Sequence, residues 1–372
     1  MSILRPLPER LLLGPGPSNA HASVLEAMGR PLLGHLDPAF LALLDRVKQG
    51  LRRVFGTTNV MTLPISGTGS AGMETALVNL LEPGDAIVVG VNGVFGGRMA
   101  EVARRAGAEV TTVEAAWGRP LDEAAMAEAI ARAQPRVVAF VHAETSTGVD
   151  QPVEAIASAA HEHDALTLLD CVTSLAGRPV DLDAWGIDAA YSGTQKCLSC
   201  PPGLAPVSFS ERAMQRVRER QRPVQSWYLD LSLLAGYYEG EKRVYHHTAP
   251  ISAIYGLAAA LDRVLDEGLP IRFERHREAA ARLVTGLEPL GFEPLVEPAH
   301  RLPMLTSVRL PEPVRSRDEA RVRSRLLEEF GIEVGAGLGP LAGEIWRIGL
   351  MGENARPETV DRLLEALHKI LD

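Results

Sequence analysis

The sequence is poor in cysteine, in long apolar runs and in positive charge, and each shortage excludes a class of protein. Its 372 residues include 3 cysteines, too few for a disulfide framework, so a reducing compartment is expected. No apolar run approaches the roughly 20 residues of a membrane span. The formal net charge of -9 argues against a nucleic-acid partner, because such proteins usually carry a basic face.

The sequence also shows no recognisable targeting signal and no internal repeat. The first ten residues lack the apolar segment of a signal peptide. Hydrophobic residues make up 46% of the chain and charged residues 23%, which is typical of a soluble globular protein. We therefore expect a cytoplasmic enzyme, and the chain length suggests a large domain with a smaller one.

Apolar strand patterns alternate with helical patterns along the first two thirds of the chain. The predicted strands lie near 60–65, 86–91, 109–113, 137–141, 166–170, 189–192 and 205–209, and the predicted helices near 37–55, 73–81, 96–106, 121–133 and 156–163. This alternation predicts an α/β fold with a mostly parallel central sheet and helices on both faces. Such sheets bind ligands at the carboxyl ends of their strands.

The last third of the chain follows a different order. A helical region near 248–290 is interrupted near Gly268 and precedes short strands near 292–296, 304–309, 332–335 and 345–349, with helices near 317–330 and 357–371. This order predicts a smaller α+β domain. We expect an N-terminal arm over 1–17, whose first 13 residues are irregular, a large domain over 18–268 and a small domain over 269–372.

A glycine-rich loop, Ser66–Gly72, follows a predicted strand and opens a helix. Backbone N–H groups and the helix dipole make such a loop an anion site, although a merely tight turn is the plain alternative. Its glycines also spell the G-x-G-x-x-G dinucleotide fingerprint. That fingerprint needs an acid about 20 residues further on, and the corresponding strand ends at Val91 without one, so a nicotinamide dinucleotide is disfavoured.

Three charged residues occupy apolar strands or follow them directly. Asp170 ends an apolar strand, so it needs a cationic partner: a protonated pyridine nitrogen, an arginine or a metal. Lys196 follows Ser-Gly-Thr-Gln after another strand, and a desolvated lysine can lose its charge and attack a carbonyl. Arg347 alternates with apolar residues in a predicted strand. It is either an outward-facing strand residue or a guanidinium that binds a carboxylate through two hydrogen bonds.

Two other polar motifs have structural explanations. Cys197 and Cys200 form a C-x-x-C pair, but a zinc site usually needs a second such pair, so both are predicted to be structural. Tyr245-His246-His247-Thr248 precedes a predicted helix. Thr248 is therefore a candidate N-cap, and the polar side chains could also hold a phosphate.

Several longer segments, spread in order along almost the whole chain, match the pattern of a known family. They are Gly14–Asn19, Ile65–Gly69, Leu81–Asp85, Ser146–Val149, Tyr191–Lys196, Tyr245–Thr248 and Trp346–Leu350. Together they resemble the class V, fold-type I aminotransferases, and within them the alanine–glyoxylate and serine–pyruvate aminotransferases.

The resemblance implies pyridoxal 5'-phosphate (PLP) as cofactor and a ping-pong exchange between alanine or serine and glyoxylate or pyruvate. Lys196 would hold the cofactor as a Schiff base, and Asp170 would bind the pyridinium nitrogen. The other implied positions are Thr68, Gly69, Ser70 and Gln195 around the phosphate, Thr145 near the ring oxygen, Val172 and Phe95 on the two ring faces, Arg347 and the backbone of Gly16 at the substrate carboxylate, and Tyr245 and Thr248 from the second subunit of a homodimer.

Two positions depart from the family pattern, and other functions stay open. Phe95 stands where the stacking residue is often tryptophan, and Ser70 where a histidine often follows the loop glycine. A ureidoglycine-type donor is possible within the same family. A desulfurase or lyase would need a mobile cysteine, but the three cysteines adjoin the acid and the lysine. If the protein were a non-enzymatic binding module, the presence of the lysine, the acid and the arginine in these motifs would be a coincidence.

Overall fold

The computed structural model describes residues 6–240 and 242–371. The strands are β1 (Leu11–Leu13), β2 (Met61–Ser66), β3 (Ala86–Val91), β4 (Glu109–Glu114), β5 (Val137–Val141), β6 (Ala143–Glu144), β7 (Val149–Asp150), β8 (Leu166–Asp170), β9 (Ala189–Tyr191), β10 (Leu204–Phe209), β11 (Glu293–Pro294), β12 (Leu305–Arg309), β13 (Ile332–Ala336) and β14 (Ile345–Gly349). The α-helices are α1 (Ala22–Met28), α2 (Pro38–Phe55), α3 (Gly69–Leu80), α4 (Val94–Arg105), α5 (Glu123–Ala133), α6 (Glu154–Glu162), α7 (Glu211–Arg218), α8 (Leu231–Tyr238), α9 (Ile251–Glu267), α10 (Leu269–Leu287), α11 (Glu312–Arg315), α12 (Glu319–Phe330) and α13 (Pro357–Leu371).

The larger sheet has the order β2-β10-β9-β8-β5-β3-β4. Neighbouring strands from β9 to β4 run parallel, whereas β10 is antiparallel to both β9 and β2. Every residue of β5 and β8 is buried, because helices cover both faces and leave no solvated side for polar residues. The predicted α/β class with a mostly parallel sheet is confirmed.

The register of the central strands brings their carboxyl ends to one edge of this sheet. Val141 of β5 pairs with Asp170 of β8, and Asp170 pairs with Tyr191 of β9. The segments that follow these three strands therefore start side by side. They carry Thr145 and Lys196 among the residues singled out from the sequence.

The smaller sheet has the order β1-β13-β14-β12-β11. Its first strand, Leu11–Leu13, pairs in parallel with β13, so the prediction that the first 13 residues are irregular is wrong for 11–13. Pairing with a strand more than 300 residues away fixes this short segment, and no local pattern could reveal it. Residues 1–5 lie outside the described residues, and the domain boundaries at 17 and 268 stay predictions.

Helix starts account for the other differences from the sequence-based expectations. Helix α3 begins at Gly69, inside the glycine-rich loop, rather than near residue 73. Helix α9 begins at Ile251 with Pro250 in the N-cap position, so Thr248 as an N-cap is wrong. Pro250 disfavours helical backbone at the residue before it, which stops the helix from starting earlier. The sequence analysis also missed helices α1, α7 and α8, which have 7 or 8 residues.

Among the described residues, each helix is too short or too polar to cross a lipid bilayer.

Candidate active site

A cavity opens at the carboxyl ends of β5, β8 and β9. It is lined by Thr68, Gly69, Ser70, Met73, Phe95, Arg98, Val141, Ala143, Thr145, Asp170, Val172, Thr173, Tyr191, Gln195 and Lys196. The residues predicted from the sequence that meet here are Thr68, Gly69, Ser70, Phe95, Thr145, Asp170, Val172, Gln195 and Lys196. They come from separate segments that the sheet register brings together.

Asp170 is a buried carboxylate with two hydrogen bonds in place. Its Oδ2 accepts from the Tyr191 hydroxyl at 2.7 Å, and its Oδ1 accepts from the Val172 backbone N–H at 2.8 Å. Burial raises the pKa of Asp170 to about 6, against the opposing effect of these hydrogen bonds. A cation placed in the cavity would stabilise its charged form.

Lys196 is buried and lies against the N-terminal segment. Its Nζ donates to the Pro15 carbonyl. Gly16 has φ +109°, a backbone conformation that favours glycine, and a Cβ there would come within 2.6 Å of Lys196 Cδ and 2.7 Å of Nζ. Burial lowers the pKa of Lys196 to about 8, which makes the neutral, nucleophilic amine accessible near neutral pH.

The amino end of α3 also lines the cavity. Thr68 takes the N-cap position but makes no side-chain capping bond there, so the first N–H groups of the helix remain available to an anion. A Cβ at Gly69 would lie 3.0 Å from Val172 Cγ2. Within the described part of the chain, the buried Gln195 Oε1 has no hydrogen-bond partner, so the side-chain amide is free to turn toward a ligand.

Arg347 is buried, 6% exposed, so the alternative of an outward-facing strand residue is wrong. Its neighbours Trp346 and Ile348 belong to the apolar cluster of the smaller sheet, and alternation along the strand turns Arg347 the other way. Its Nε donates to the Ala336 carbonyl at 2.7 Å and its Nη1 to the Thr145 carbonyl at 3.1 Å. Thr145 lines the cavity, so the guanidinium lies at the cavity edge.

Tyr191 lines the cavity and Glu144 accepts a hydrogen bond from the backbone of the lining residue Phe95, but the sequence analysis singled out neither. Glu144 is fully buried and accepts from Phe95 N at 3.1 Å and from Ser146 Oγ at 2.7 Å. Burial raises its pKa, and the hydrogen bonds oppose this rise. An acid closely following the apolar strand β5 is the same signal that singled out Asp170. The contact of Tyr191 with Asp170 depends on strand pairing and has no local signal.

Tyr245 and Thr248 lie apart from the cavity within one chain. Tyr245 is 57% exposed, its ring lies 5.0 Å from that of His35, and Thr248 is also exposed. Between them, His247 is buried and its Nε2 lies 3.1 Å from Oγ of Ser66, the first residue of the glycine-rich loop. Neither Tyr245 nor Thr248 is among the described residues that line the cavity.

The groups around the cavity match the parts of one cofactor. A lysine that readily becomes neutral suits an aldehyde, a buried carboxylate suits a protonated pyridine nitrogen, and a free helix amino end suits a phosphate. Gln195 lines the same cavity, and its side-chain NH2 can donate a further hydrogen bond to a phosphate. Fold and cavity together define a PLP-dependent enzyme of fold type I.

The chain belongs to the class-V aminotransferase family, whose model matches residues 12–354. It is 43% identical over 367 residues to an alanine–glyoxylate aminotransferase of Oryctolagus cuniculus, covering 98% of this chain and 93% of the relative. A crystal structure of an alanine–glyoxylate aminotransferase from Nostoc sp. superimposes with a TM-score of 0.97 at 48% identity, covering 100% of this chain and 97% of that one. A ureidoglycine–glyoxylate aminotransferase from Bacillus subtilis gives 0.96 at 40% identity, covering 100% and 94%. The protein is an aminotransferase with PLP as its cofactor.

Proposed function

We propose that this aminotransferase moves the amino group of alanine or serine to glyoxylate or pyruvate by a ping-pong mechanism. The observation that carries the proposal is the meeting of Lys196 and Asp170 in one cavity with Arg347 at its edge. Relatives that act on alanine and glyoxylate support this substrate pair. Arg347 suits the carboxylate that both the amino acid and the 2-oxo acid carry.

Lys196 and Asp170 would share the chemistry around the cofactor. The bound cofactor supplies an electron sink for the Cα–H bond of the substrate. Asp170 favours the protonated state of a ring nitrogen placed beside it. Lys196 would hold the cofactor through Nζ, and the same amine, when free, would move the proton at the substrate Cα.

The remaining residues would bind and orient. Thr68, Gly69, Ser70 and Gln195 surround the phosphate position, Thr145 lies near the ring oxygen, and Val172 and Phe95 cover the ring faces. Arg347 binds the substrate carboxylate, and the backbone at Gly16 borders the same pocket. The contact of Gly16 with the Lys196 side chain supports that last assignment.

We also propose that the protein is a homodimer in which Tyr245 and Thr248 reach the other subunit's cofactor phosphate. Both side chains are exposed and outside the cavity of their own chain, as residues serving a partner would be. The mass of the protein in solution tests the dimer. In Tyr245→Phe, cofactor retention should weaken while the dimer persists, and a monomeric wild-type protein would contradict the assignment.

A desulfurase or lyase of the same fold is disfavoured by the cysteines. Cys171, Cys197 and Cys200 are all buried. Burial raises the pKa of Cys197 and of Cys200 to about 12 and that of Cys171 still further. A thiolate nucleophile needs a lowered pKa and access to substrate, and these thiols have neither.

Transfer of labelled nitrogen tests the proposed substrates. The protein with PLP is incubated with 15N-alanine and glyoxylate, and the glycine formed is analysed by mass spectrometry. Labelled glycine is expected, with serine and pyruvate tested as alternative donor and acceptor. Cysteine as substrate should release no sulfide. A preference for ureidoglycine over alanine would shift the assignment to the other kind of relative.

A further inference from the structure

A cluster of charged side chains occupies the junction of α9 and α10, away from the cavity. We call Glu267, Arg272 and Arg275 the junction cluster. Glu267 accepts from Arg272 Nη1 at 2.6 Å, from Arg275 Nε at 2.6 Å and from Arg275 Nη2 at 3.0 Å. Two arginines therefore share one carboxylate, and each has further donors to place.

The other N–H groups of Arg272 donate hydrogen bonds to the two segments that follow Asp170 and Lys196. Its side chain is 1% exposed, its Nε donates to the Ala176 carbonyl at 3.1 Å, and its Nη2 donates to the Cys197 carbonyl at 2.6 Å. Cys197 follows Lys196 directly, and Ala176 lies in the turn that follows Asp170. Ala176 takes a left-handed backbone with φ +65°, a conformation that an L-residue adopts at a cost.

Arg275 holds the segment that follows the strand of Arg347. Its Nη1 donates to the Gly352 carbonyl at 2.9 Å and to the Ala355 carbonyl at 2.7 Å. From the next position on the helix, His276 Nε2 accepts from Gly352 N at 3.0 Å. Gly352 lies three residues beyond the end of β14, so these contacts hold the segment that follows the Arg347 strand.

We propose that the junction cluster is a set of positioning residues that aligns Lys196 and Asp170 with Arg347. The inference rests on the proposed roles of those three residues. Arg272 acts on the cofactor side, through the backbones next to Lys196 and Asp170. Arg275 acts on the carboxylate side, through the backbone beyond Arg347. Glu267 ties the two arginines together, so that the two sides of the site keep one spacing.

Glu267 stays ionised over the pH range of an activity assay. Burial alone would raise the pKa of Glu267, but its hydrogen bond with Arg275 and the charge of Arg272 lower it to about 2. Burial lowers the pKa of Arg272, and the Glu267 charge opposes this. Removing either arginine leaves buried carbonyl groups without a donor, which is costly and shifts the backbone locally.

Because the two arginines hold different segments, their loss should give different kinetic signatures. Arg272→Met should lower kcat by about tenfold to a hundredfold with little change in the KM for the amino acid, since displacement of a reacting group costs rate. Arg275→Met should raise that KM by about tenfold with little change in kcat, since it disturbs ground-state and transition-state binding alike. Arg272→Lys keeps a charge beside Glu267 but not the three-way donor geometry, so it should fold and still lose kcat.

A matched control lies elsewhere in the molecule. Arg216 on α7 is also partly buried between two carboxylates, Glu82 at 3.1 Å and Asp85 at 2.7 Å, but it holds no segment of the site. Arg216→Met should lower the unfolding temperature and leave both kinetic parameters unchanged. A variant that alters stability alone therefore has a different signature from either junction variant.

Hydrogen–deuterium exchange of the holoenzyme supplies a readout independent of turnover. Exchange in 171–177 and 197–200 should accelerate in Arg272→Met and Arg272→Lys, and exchange in 350–356 should accelerate in Arg275→Met. Equal effects on kcat and KM in both arginine variants, or no local change in exchange, would overturn the proposal. If the wild-type protein showed no transamination, the proposed function would be overturned instead, whatever the exchange experiment shows.

Discussion

Replacing Arg347 by alanine should weaken amino-acid binding while the cofactor stays bound. The guanidinium is buried at the edge of the cavity and is held on one side by the carbonyls of Ala336 and Thr145. Its Nη2 makes no hydrogen bond to any residue that the structure describes. The backbone contacts therefore orient the side chain and leave a donor for a substrate carboxylate.

The size of the effect follows from the burial of this charge. Burial lowers the pKa of Arg347, although the charge of Glu144 raises it, and a guanidinium stays protonated under assay conditions. Losing one side of a buried, hydrogen-bonded charge pair costs about 2–5 kcal/mol. At about 1.4 kcal/mol for each factor of ten, KM should rise by about 30-fold to 4,000-fold. Arg347→Lys keeps the charge but not the fork, so its KM should lie between wild type and alanine.

The assay is amino-acid saturation of the first half-reaction, followed through the absorbance of the bound cofactor. Arg309 on the neighbouring strand β12 is exposed, and Arg309→Ala is the matched control that should leave saturation unchanged. A KM for Arg347→Ala equal to that of the control would refute the reasoning. The substrate carboxylate would then have to bind elsewhere in the cavity.

Three further predictions concern the cofactor side of the site. Asp170→Asn should retain PLP but lose about two orders of magnitude in single-turnover rate, because an amide cannot stabilise the charged ring nitrogen; a near-normal rate would show that Asp170 is not its partner. Lys196→Ala should lose transamination by a factor of about a hundred or more with an unchanged unfolding midpoint, and an active variant would remove Lys196 from the mechanism. Because burial lowers the pKa of Lys196 to about 8, PLP attachment to the cofactor-free protein should accelerate about tenfold per pH unit below pH 8 and level off above it. Stopped-flow absorbance measures this profile, and a rise continuing to pH 10 would mean that the amine is not desolvated.

The main architecture and the central pair of the site were predictable because their signals are local. Continuous apolar stretches such as Val137–Val141 and Leu166–Asp170 have the composition of strands buried on both faces. Asp170 and Lys196 stand out because each is a charge next to such a strand. The order of these elements then predicts the sheet and the edge at which ligands bind.

Features that depend on distant partners could not be predicted. Leu11–Leu13 is a strand because Ile332–Val334 lies beside it. Arg272 is one of several arginines in a helix that would ordinarily be solvated, and its burial depends on the loops around Lys196 and Asp170. Tyr191 likewise joins the site only through the pairing of β9 with β8. The strand and the residues that the sequence analysis missed are therefore the ones whose positions depend on tertiary contacts.

Borohydride reduction followed by peptide mapping tests the central claim most directly. The sequence contains four lysines, Lys48, Lys196, Lys242 and Lys369. Lys48 is also buried, with a lowered pKa caused by burial, so burial alone does not select the cofactor-binding lysine. Reduction of the holoenzyme should attach the cofactor to Lys196 and leave the other three unmodified. A label on Lys48, Lys242 or Lys369, or no stable label at all, would contradict the account.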